Sequence, residues 1–502
     1  MKPFFSPLLR ALTAHAKNDP VSFHVPGHHY GQALQQELLL DDPTNHPAEW
    51  FSSIMRLDVT ELSTTDDLHH PEASIMEAQQ LAARTFGAEE TFFLVGGSTS
   101  GNLSLFLAIC NPGDIVIVQR NVHKSVINGL KLAGASAVFL SPQIDLHTGL
   151  ALIPTEGQIE EALIRYPEAK AVFLSNPNYY GMGMSIRPYA ELVHRYYKPL
   201  IVDEAHGAHY GFHPHLPQSA LAAGADAVVQ SAHKTLPALT MGAMLHVQGD
   251  RVQRDRLRQA LAILQSSSPS FPILASLDIS RAMIDALGSQ LFEQSLTAAA
   301  SFRKWLDRHS SVIKEMANKE NQDTTPFADP LRIVLYDSSD RLSGFELQRW
   351  LEKYGCFAEM ADPRYTVLIF GINISQKDIL KLQQAIIKIT CLIEKKAEAC
   401  ASSSAKARTF SDSYTKQRIS EPVSFARERF THTRIRIELD QAEQRIAAEM
   451  VVPYPPGIAI LYPGEVITSS VIEQIKELST LGAKFQGAAD PSMAKIEVYE
   501  TN

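Results

Sequence analysis

From Pro71 onward the apolar positions follow two alternating periods. Ile75, Ala78, Ala82 and Phe86 recur at helical spacing between Pro71, which opens the segment, and Gly87, which closes it. Short runs that are apolar on both faces come next: Thr91–Val95, Ile115–Val118, Ala137–Leu140, Ala171–Leu174, Leu200–Val202 and Asp226–Gln230. Such runs belong in a parallel sheet buried on both sides, and the helix-length stretches between them are the crossovers that sheet requires. The pattern predicts an α/β domain. Between about 285 and 395, helical stretches mix with the strand-like runs Leu331–Leu335 and Tyr365–Phe370, which predicts a smaller α+β unit. Residues 396–420 turn small, polar and basic, the composition of a linker. Beyond about 430 the pattern predicts a helix over Leu439–Met450, then the stretch VVPYPPGIAILYPGE and a helix-like end. No repeat of solenoid period is present.

Composition narrows the picture. The chain has 502 residues, enough for two to four domains at roughly 150 residues each. Its 46 Lys+Arg against 55 Asp+Glu give a net charge of −9, which provides no footprint for nucleic acid or an anionic membrane. The N-terminal MKPFFSPLLRALTAHAKNDP is broken by Pro7 and Arg10 and does not read as a signal peptide. No stretch approaches the roughly 18 apolar residues of a membrane span. Cys110, Cys356, Cys391 and Cys400 lack metal-site spacing and are too sparse for a disulfide scaffold. The expectation is a soluble, cytoplasmic protein of enzyme size.

In a parallel sheet, ligands bind beyond the carboxyl ends of the strands, and four such ends carry chemistry. Thr91–Val95 runs into GGSTSGN, where glycines permit a tight turn and Ser98, Thr99 and Ser100 with helix N-terminal amides suit a phosphate; a plain N-cap turn has the same composition. It is not a Walker loop, having no Gly-Lys-Ser/Thr. Leu200–Val202 ends in DEAHGAH, placing Asp203 at a strand end, and Asp226–Gln230 ends in SAHKT, placing Lys234 at the same edge. A lysine there can form a Schiff base if its surroundings lower its pKa. QRNVHKS brings His123, which can stack on a flat ring or simply be a surface histidine. Each feature alone also fits an ordinary solvated group. Together, phosphate cradle, strand-end carboxylate and strand-end lysine are the parts that hold pyridoxal phosphate, with the carboxylate keeping the pyridinium nitrogen protonated.

SAHKT, DEAHGAH, RNVHKS, GGSTSGN, the N-terminal HVPGHHYG and the C-terminal YPPGIAILYPGE, in that collinear arrangement over nearly the whole chain, resemble the bacterial ornithine/lysine/arginine decarboxylases. The likeness is to the short form of Gram-positive bacteria, within the aspartate-aminotransferase-like pyridoxal-phosphate enzymes. The resemblance implies a mostly parallel central sheet covered by helices, a smaller α+β domain and a C-terminal domain. The corresponding divisions are an N-terminal segment 1–60, a cofactor-binding domain 61–285, a small domain 286–395, a linker 396–430 and a C-terminal domain 431–502.

By the same resemblance Lys234 matches the Schiff-base lysine, His233 its neighbour at the cofactor, Asp203 the pyridinium partner and His123 the stacked histidine. Ser98, Thr99, Ser100 and Ser231 match phosphate ligands, and His206 a position near the ring. Ser267 and Ser268 of QSSSPSF match a segment that reaches the phosphate of the neighbouring subunit. Two departures stand out: Gly97-Ser98-Thr99 replaces the usual Gly-Thr-Ser or Gly-Thr-Thr, and Asn178 follows Asn176-Pro177 where Thr is common. The implied activity is decarboxylation of arginine, lysine or ornithine, with a lean to arginine, feeding polyamine biosynthesis. The implied assembly is a homodimer or larger homo-oligomer with the site at the interface.

A substrate with a distal cation needs an acidic or aromatic partner, for which Asp66, Asp67 and Glu465 are the candidates. Three rival readings accompany this one. An aminotransferase on the same fold would grip its substrate carboxylate with an arginine such as Arg364. A metallohydrolase would use Asp203, His206, His209, His213 and His215, although no HExxH glutamate accompanies them. A non-catalytic regulatory homologue would have no need to retain Lys234, Asp203 and His123 together.

Overall fold

The computed structural model describes residues 2–35, 47–316, 326–399, 419–426, 433–454, 459–480 and 483–500. The apolar runs form strands β1 (Glu90–Leu94), β2 (Ile115–Gln119), β3 (Ser136–Leu140), β4 (Val172–Ser175), β6 (Leu200–Asp203), β7 (Ala227–Gln230) and β8 (Ala243–Val247); the two-residue β5 (Met182–Gly183) lies outside their sheet. Strand order is β1-β8-β7-β6-β4-β2-β3. Strands β7, β6, β4, β2 and β3 pair in parallel, and β8 runs antiparallel to both β1 and β7. The two-face apolar character has its predicted cause: one face packs Phe106, Ile127 and Leu130, the other Ile159, Leu163 and Val193. The pattern had not singled out β8, whose AMLHV run is five residues long and follows a glycine turn.

The helix expected after Pro71 spans Ser74–Phe86, and Gly87 ends it in the left-handed conformation at φ 78°. The N-terminal apolar run is also a helix, Pro7–Lys17, whose Leu8 and Leu12 enter the core. It is pinned by Asp278, which accepts hydrogen bonds from the Ser6 hydroxyl (2.6 Å) and the Leu8 amide (3.0 Å).

The smaller α+β unit contains strands β9 (Ile313–Glu315), β10 (Phe327–Ala328), β11 (Arg332–Asp337), β12 (Met360–Ala361) and β13 (Thr366–Ile369). Four of them form a sheet of order β12-β13-β11-β9, while β10 pairs with β5 and so ties this unit to the large sheet's domain. Helices Gln290–His309, Gly344–Lys353 and Gln376–Ala399 cover it.

One predicted element is wrong. Leu439–Met450 is not a helix: only Leu439–Gln441 makes a 3-10 turn, Gln444 sits at φ 62°, and Ile446, Ala447 and Val451 make bridges to Val466, Val498 and Leu461. Good helix formers were overruled by tertiary pairing, because Ala442, Ala447 and Val451 are needed in the C-terminal core with Ile467, Ile475 and Val498. Most of the expected linker, and residues 455–458 of the YPPG stretch, lie outside the described residues. Within that linker, Val423–Ser424 pairs antiparallel with β3 and Phe425 is buried against Phe139.

Candidate active site

The register pairs Leu94 with Ala243, Gln230 with Met244, Asp203 with Val229, and Ser175 with Asp203. The carboxyl ends of β1, β4, β6 and β7 therefore finish level with one another, and GGSTSGN, SAHKT and DEAHGAH leave the sheet side by side. The first becomes the N-terminus of helix Gly97–Ile109, with Gly97 at φ 71° where a side chain would be strained. The backbone at 241–242 clamps two of the loops together. Gly97 N–H donates to the Met241 carbonyl (2.8 Å), and His233 N–H donates to the Gly242 carbonyl (3.1 Å). The same carbonyl accepts from His233 Nδ1 at 2.9 Å. Ser98, Thr99 and Ser100 thus sit beside Ser231, His233 and Lys234.

A buried chain joins the carboxylate to the histidine. Asn102 Nδ2 donates to Asp203 Oδ2 (2.9 Å) and to Ser125 Oγ (2.9 Å), and Ser125 Oγ lies 2.8 Å from His123 Nδ1. The Ala205 amide donates to the other Asp203 oxygen at 3.1 Å. Burial lowers the His123 pKa against the opposing pull of Asp203. His123 is therefore a neutral, oriented ring, which suits stacking. Asn102 and Ser125 were not singled out as site residues, although both lie inside quoted motifs.

Lys234 extends from the one-turn helix Ala232–Thr235, and its Nζ lies 3.1 Å from His206 Nε2 and 5.9 Å from the Tyr179 ring centre. Burial lowers the lysine pKa; Asp203 and Glu359 oppose that shift and Arg332 adds to it. The His206 ring lies 4.7 Å from that of Tyr179, tilted by 56°, and meets Arg332 Nη2 through Nδ1 at 3.1 Å. Arg332 is 3% exposed and Asp329 1%. Asp329 lies 3.8 Å from Arg332 Nε and 3.0 Å from His209 Nε2. Tyr179 and Arg332 are further site residues the sequence did not reveal.

Other candidates lie elsewhere or are already engaged. Ser267 and Ser268 are exposed, just past Gln265, whose side chain accepts from the Val95 amide at 2.9 Å. Asp66 caps the helix Ser74–Phe86. Burial pushes its pKa up, but the amides of Glu72, Asp67, Ala73 and Ile75 outweigh that and hold it low. Asp67 accepts from the His69 amide at 2.8 Å. Glu465 makes a two-pronged pair with Arg120, 2.7 Å on each prong, in the C-terminal region. All three acids are engaged in structural contacts in this chain. Arg364 is exposed on the turn before β13, over the rings of Tyr336 and Tyr365. The supposed metal cluster is dispersed: Asp203 turns to Asn102, His206 to Lys234, His209 to Asp329 and His213 to Glu293. No group of three metal-ligating side chains converges among the described residues.

A sheet edge that presents a lysine, a carboxylate and a hydroxyl-lined helix start defines a cofactor-type lyase or transferase site on a mostly parallel α/β scaffold. Residues 6–378 match the major domain of the Orn/Lys/Arg decarboxylases and residues 405–490 match their C-terminal domain; the chain belongs to that family. Over 98% of both chains it is 37% identical to an uncharacterized protein, YaaO, of Bacillus subtilis. It is 33% identical to the arginine decarboxylase of the same organism, over 99% of this chain and 98% of that one. The fold matches the crystal structure of the lysine decarboxylase LdcF of Francisella novicida at a TM-score of 0.80 and 19% identity, covering 99% of this chain and 81% of that one.

The residues present fit pyridoxal phosphate. Ser231 Oγ and Thr235 Oγ1 are buried with no hydrogen-bond partner, a costly state for a hydroxyl unless a ligand completes it. At Gly97, on the neighbouring loop, an added Cβ would meet nothing within 4 Å.

Proposed function

We propose that this chain, loaded with pyridoxal 5′-phosphate, decarboxylates a basic amino acid, with arginine first and lysine or ornithine as alternatives, to the corresponding amine. The observation that carries the reading is the half-buried Lys234, its pKa lowered by desolvation, at the same sheet edge as the buried Asp203 and the partnerless Ser231 hydroxyl. The arginine preference rests on relatives of 31–33% identity that are arginine decarboxylases in Bacillus species.

When bound, the cofactor supplies an electron sink for the carbanion left as carbon dioxide departs. The chain's own residues do the rest. Ser98, Thr99, Ser100 and Ser231 would hold the phosphate with the helix N-terminus. Asp203, oriented by Asn102, would keep the ring nitrogen protonated, and His123 would be the histidine beside the ring. Lys234 would be the lysine that anchors the cofactor. Lys234, once it has taken a proton from the incoming substrate amine, would return a proton to the α-carbon; His233 could do so only when doubly protonated, since its Nδ1–H is committed to Gly242 and burial lowers its pKa. The same reading makes the enzyme a cytoplasmic homodimer or larger homo-oligomer, with Ser267 and Ser268 serving the neighbouring subunit's site.

Product identification by mass, after incubating the loaded enzyme with equal arginine, lysine and ornithine, tests this. Agmatine, cadaverine or putrescine with released carbon dioxide is the expected result. A keto acid in place of an amine, or no turnover of any of the three, contradicts it.

A further inference from the structure

The roles above leave Arg332 without a task, although it opens β11 as a buried cation beside the reacting lysine. Its Nη2 lies 3.1 Å from His206 Nδ1, and His206 Nε2 lies 3.1 Å from Lys234 Nζ. A guanidinium has donors only and does not lose its proton in proteins. His206 Nδ1 must therefore accept, and the one proton of a neutral imidazole sits on Nε2. A doubly protonated ring is disfavoured at this place: burial first, then the charges of Lys234 and Arg332, lower its pKa far below the ordinary range. An N–H pointed at an amine from 3.1 Å needs a lone pair to receive it, and an ammonium has none.

We propose that Arg332 is a positioning residue that fixes His206 as the Nε2–H tautomer, so that His206 donates to Lys234 and holds its amine in the neutral, nucleophilic form. The contact chain runs Asp329, Arg332, His206, Lys234, with Asp329 set between Arg332 and His209. The groups that face this pair from other elements are Asp203 and Glu359, which favour the ammonium, and His123 and His233, whose charges His206 feels. The Tyr179 ring packs at a tilt against His206 and lies under the Lys234 nitrogen. The inference rests on Lys234 being the reacting amine of the proposed function.

The test is competitive acetylation of Lys234 against pH in the full-length, cofactor-free chain, read by peptide mass against exposed lysines. Arg332→Met is expected to raise the Lys234 labelling midpoint by about one pH unit, the worth of one hydrogen bond, and so slow labelling about tenfold below it. In a His206→Phe background the same change should shift the midpoint by clearly less, because the path through the imidazole is gone and only the direct charge of Arg332 remains. An equal shift in both backgrounds would mean that Arg332 acts by its charge alone, and no shift in either would mean that it does not act on Lys234; both overturn the proposal. Arg332→Met strands the buried Asp329 carboxylate. If it does not fold, Asp329→Asn with Arg332→Met removes both charges and carries the same two expectations. Labelling needs no turnover, so a chain that makes no amine yet shows this cycle refutes the function and keeps the tautomer. The reverse pattern refutes only the tautomer.

Discussion

Two regions of this molecule are built on opposite terms. The cleft between helix Lys124–Ala133 and the C-terminal region encloses about 630 Å³ and is lined by Lys131, Arg434, Glu449 and Glu497. Its charges are occupied with one another and with the backbone: Glu449 accepts from the amides of Ala489 (2.6 Å) and Glu497 (2.7 Å), and Glu497 pairs with Arg436 at 3.4 Å. The edge of the large sheet instead keeps polar atoms waiting, with Ser231 Oγ, Thr235 Oγ1 and Arg332 Nη1 buried and unpartnered. Unsatisfied buried groups cost stability and persist where something else completes them. Volume marks the first region and chemistry the second, and the family match agrees with the chemistry.

The largest effect that can break this comparison is at Lys234. Lys234→Ala is expected to lower amine production by more than about 10³-fold, since anchor, leaving group and one candidate proton donor go together; a steady-state assay that retains turnover would move the active site elsewhere. Next comes Ser231→Ala. Losing a hydroxyl donor to a charged phosphate should weaken cofactor binding about tenfold to a hundredfold in a fluorescence titration. The melting temperature of the cofactor-free chain should stay or rise, because the removed hydroxyl has no partner there. A fall in that temperature would show that Ser231 is a structural group like those in the C-terminal cleft.

On the other side of the comparison, Glu465→Gln breaks the Arg120 pair and should cost about 1–3 kcal/mol in a urea melt. Its KM and kcat should hold within about twofold. A large rise in KM would restore Glu465 as a substrate ligand and sharpen the boundary differently.

The smallest effect concerns the buried chain beneath Asp203. Glu204 accepts from Gln230 Nε2 (2.7 Å), and Gln230 Oε1 meets His246 Nε2 at 3.1 Å. Burial raises the Glu204 pKa from 4.5 to about 8 and lowers that of His246 from 6.5 to about 3. From pH 4.5 to about 8 the folded chain keeps a Glu204 proton that the unfolded chain has lost, so this group's stabilisation fades as pH rises. His246 has the opposite sign from about pH 3 to 6.5, where the unfolded chain binds the extra proton and stability grows with pH. Between pH 6.5 and about 8 the Glu204 slope therefore stands alone of the two. Glu204→Gln should remove about 2 kcal/mol of pH-dependent loss across that window, seen by calorimetry at its two ends. An unchanged slope would mean that Glu204 is ionised in the fold.

What could be read beforehand was local. Lys234, Asp203 and His123 each follow a short apolar run, so strand recognition alone put them at one edge. The partners that orient them come from far along the chain: Asn102 lies 101 residues from Asp203, and Arg332 lies 126 from His206. Asn102 and Ser125 sat unremarked inside quoted motifs, while Arg332 opens a strand whose other residues read as plain core. The Leu439–Met450 stretch failed for a related reason, since its helical propensity is real and only its pairing with Leu461, Val466 and Val498 overrides it. Asp66 does what an acid of its type most often does, capping a helix, whereas the Arg120 partner of Glu465, 345 residues away, does not show in residue type.

The central claim, that the sheet edge around Lys234 is where cofactor and substrate react, is tested most directly by mapping where pyridoxal phosphate attaches. The protein is incubated with the cofactor, reduced with borohydride, digested and read by peptide mass. The account predicts one stoichiometric pyridoxyl group, on Lys234, with the modification absent from Lys234→Ala. Attachment at another lysine, or a Lys234 that remains unmodified while amine is produced, would contradict it.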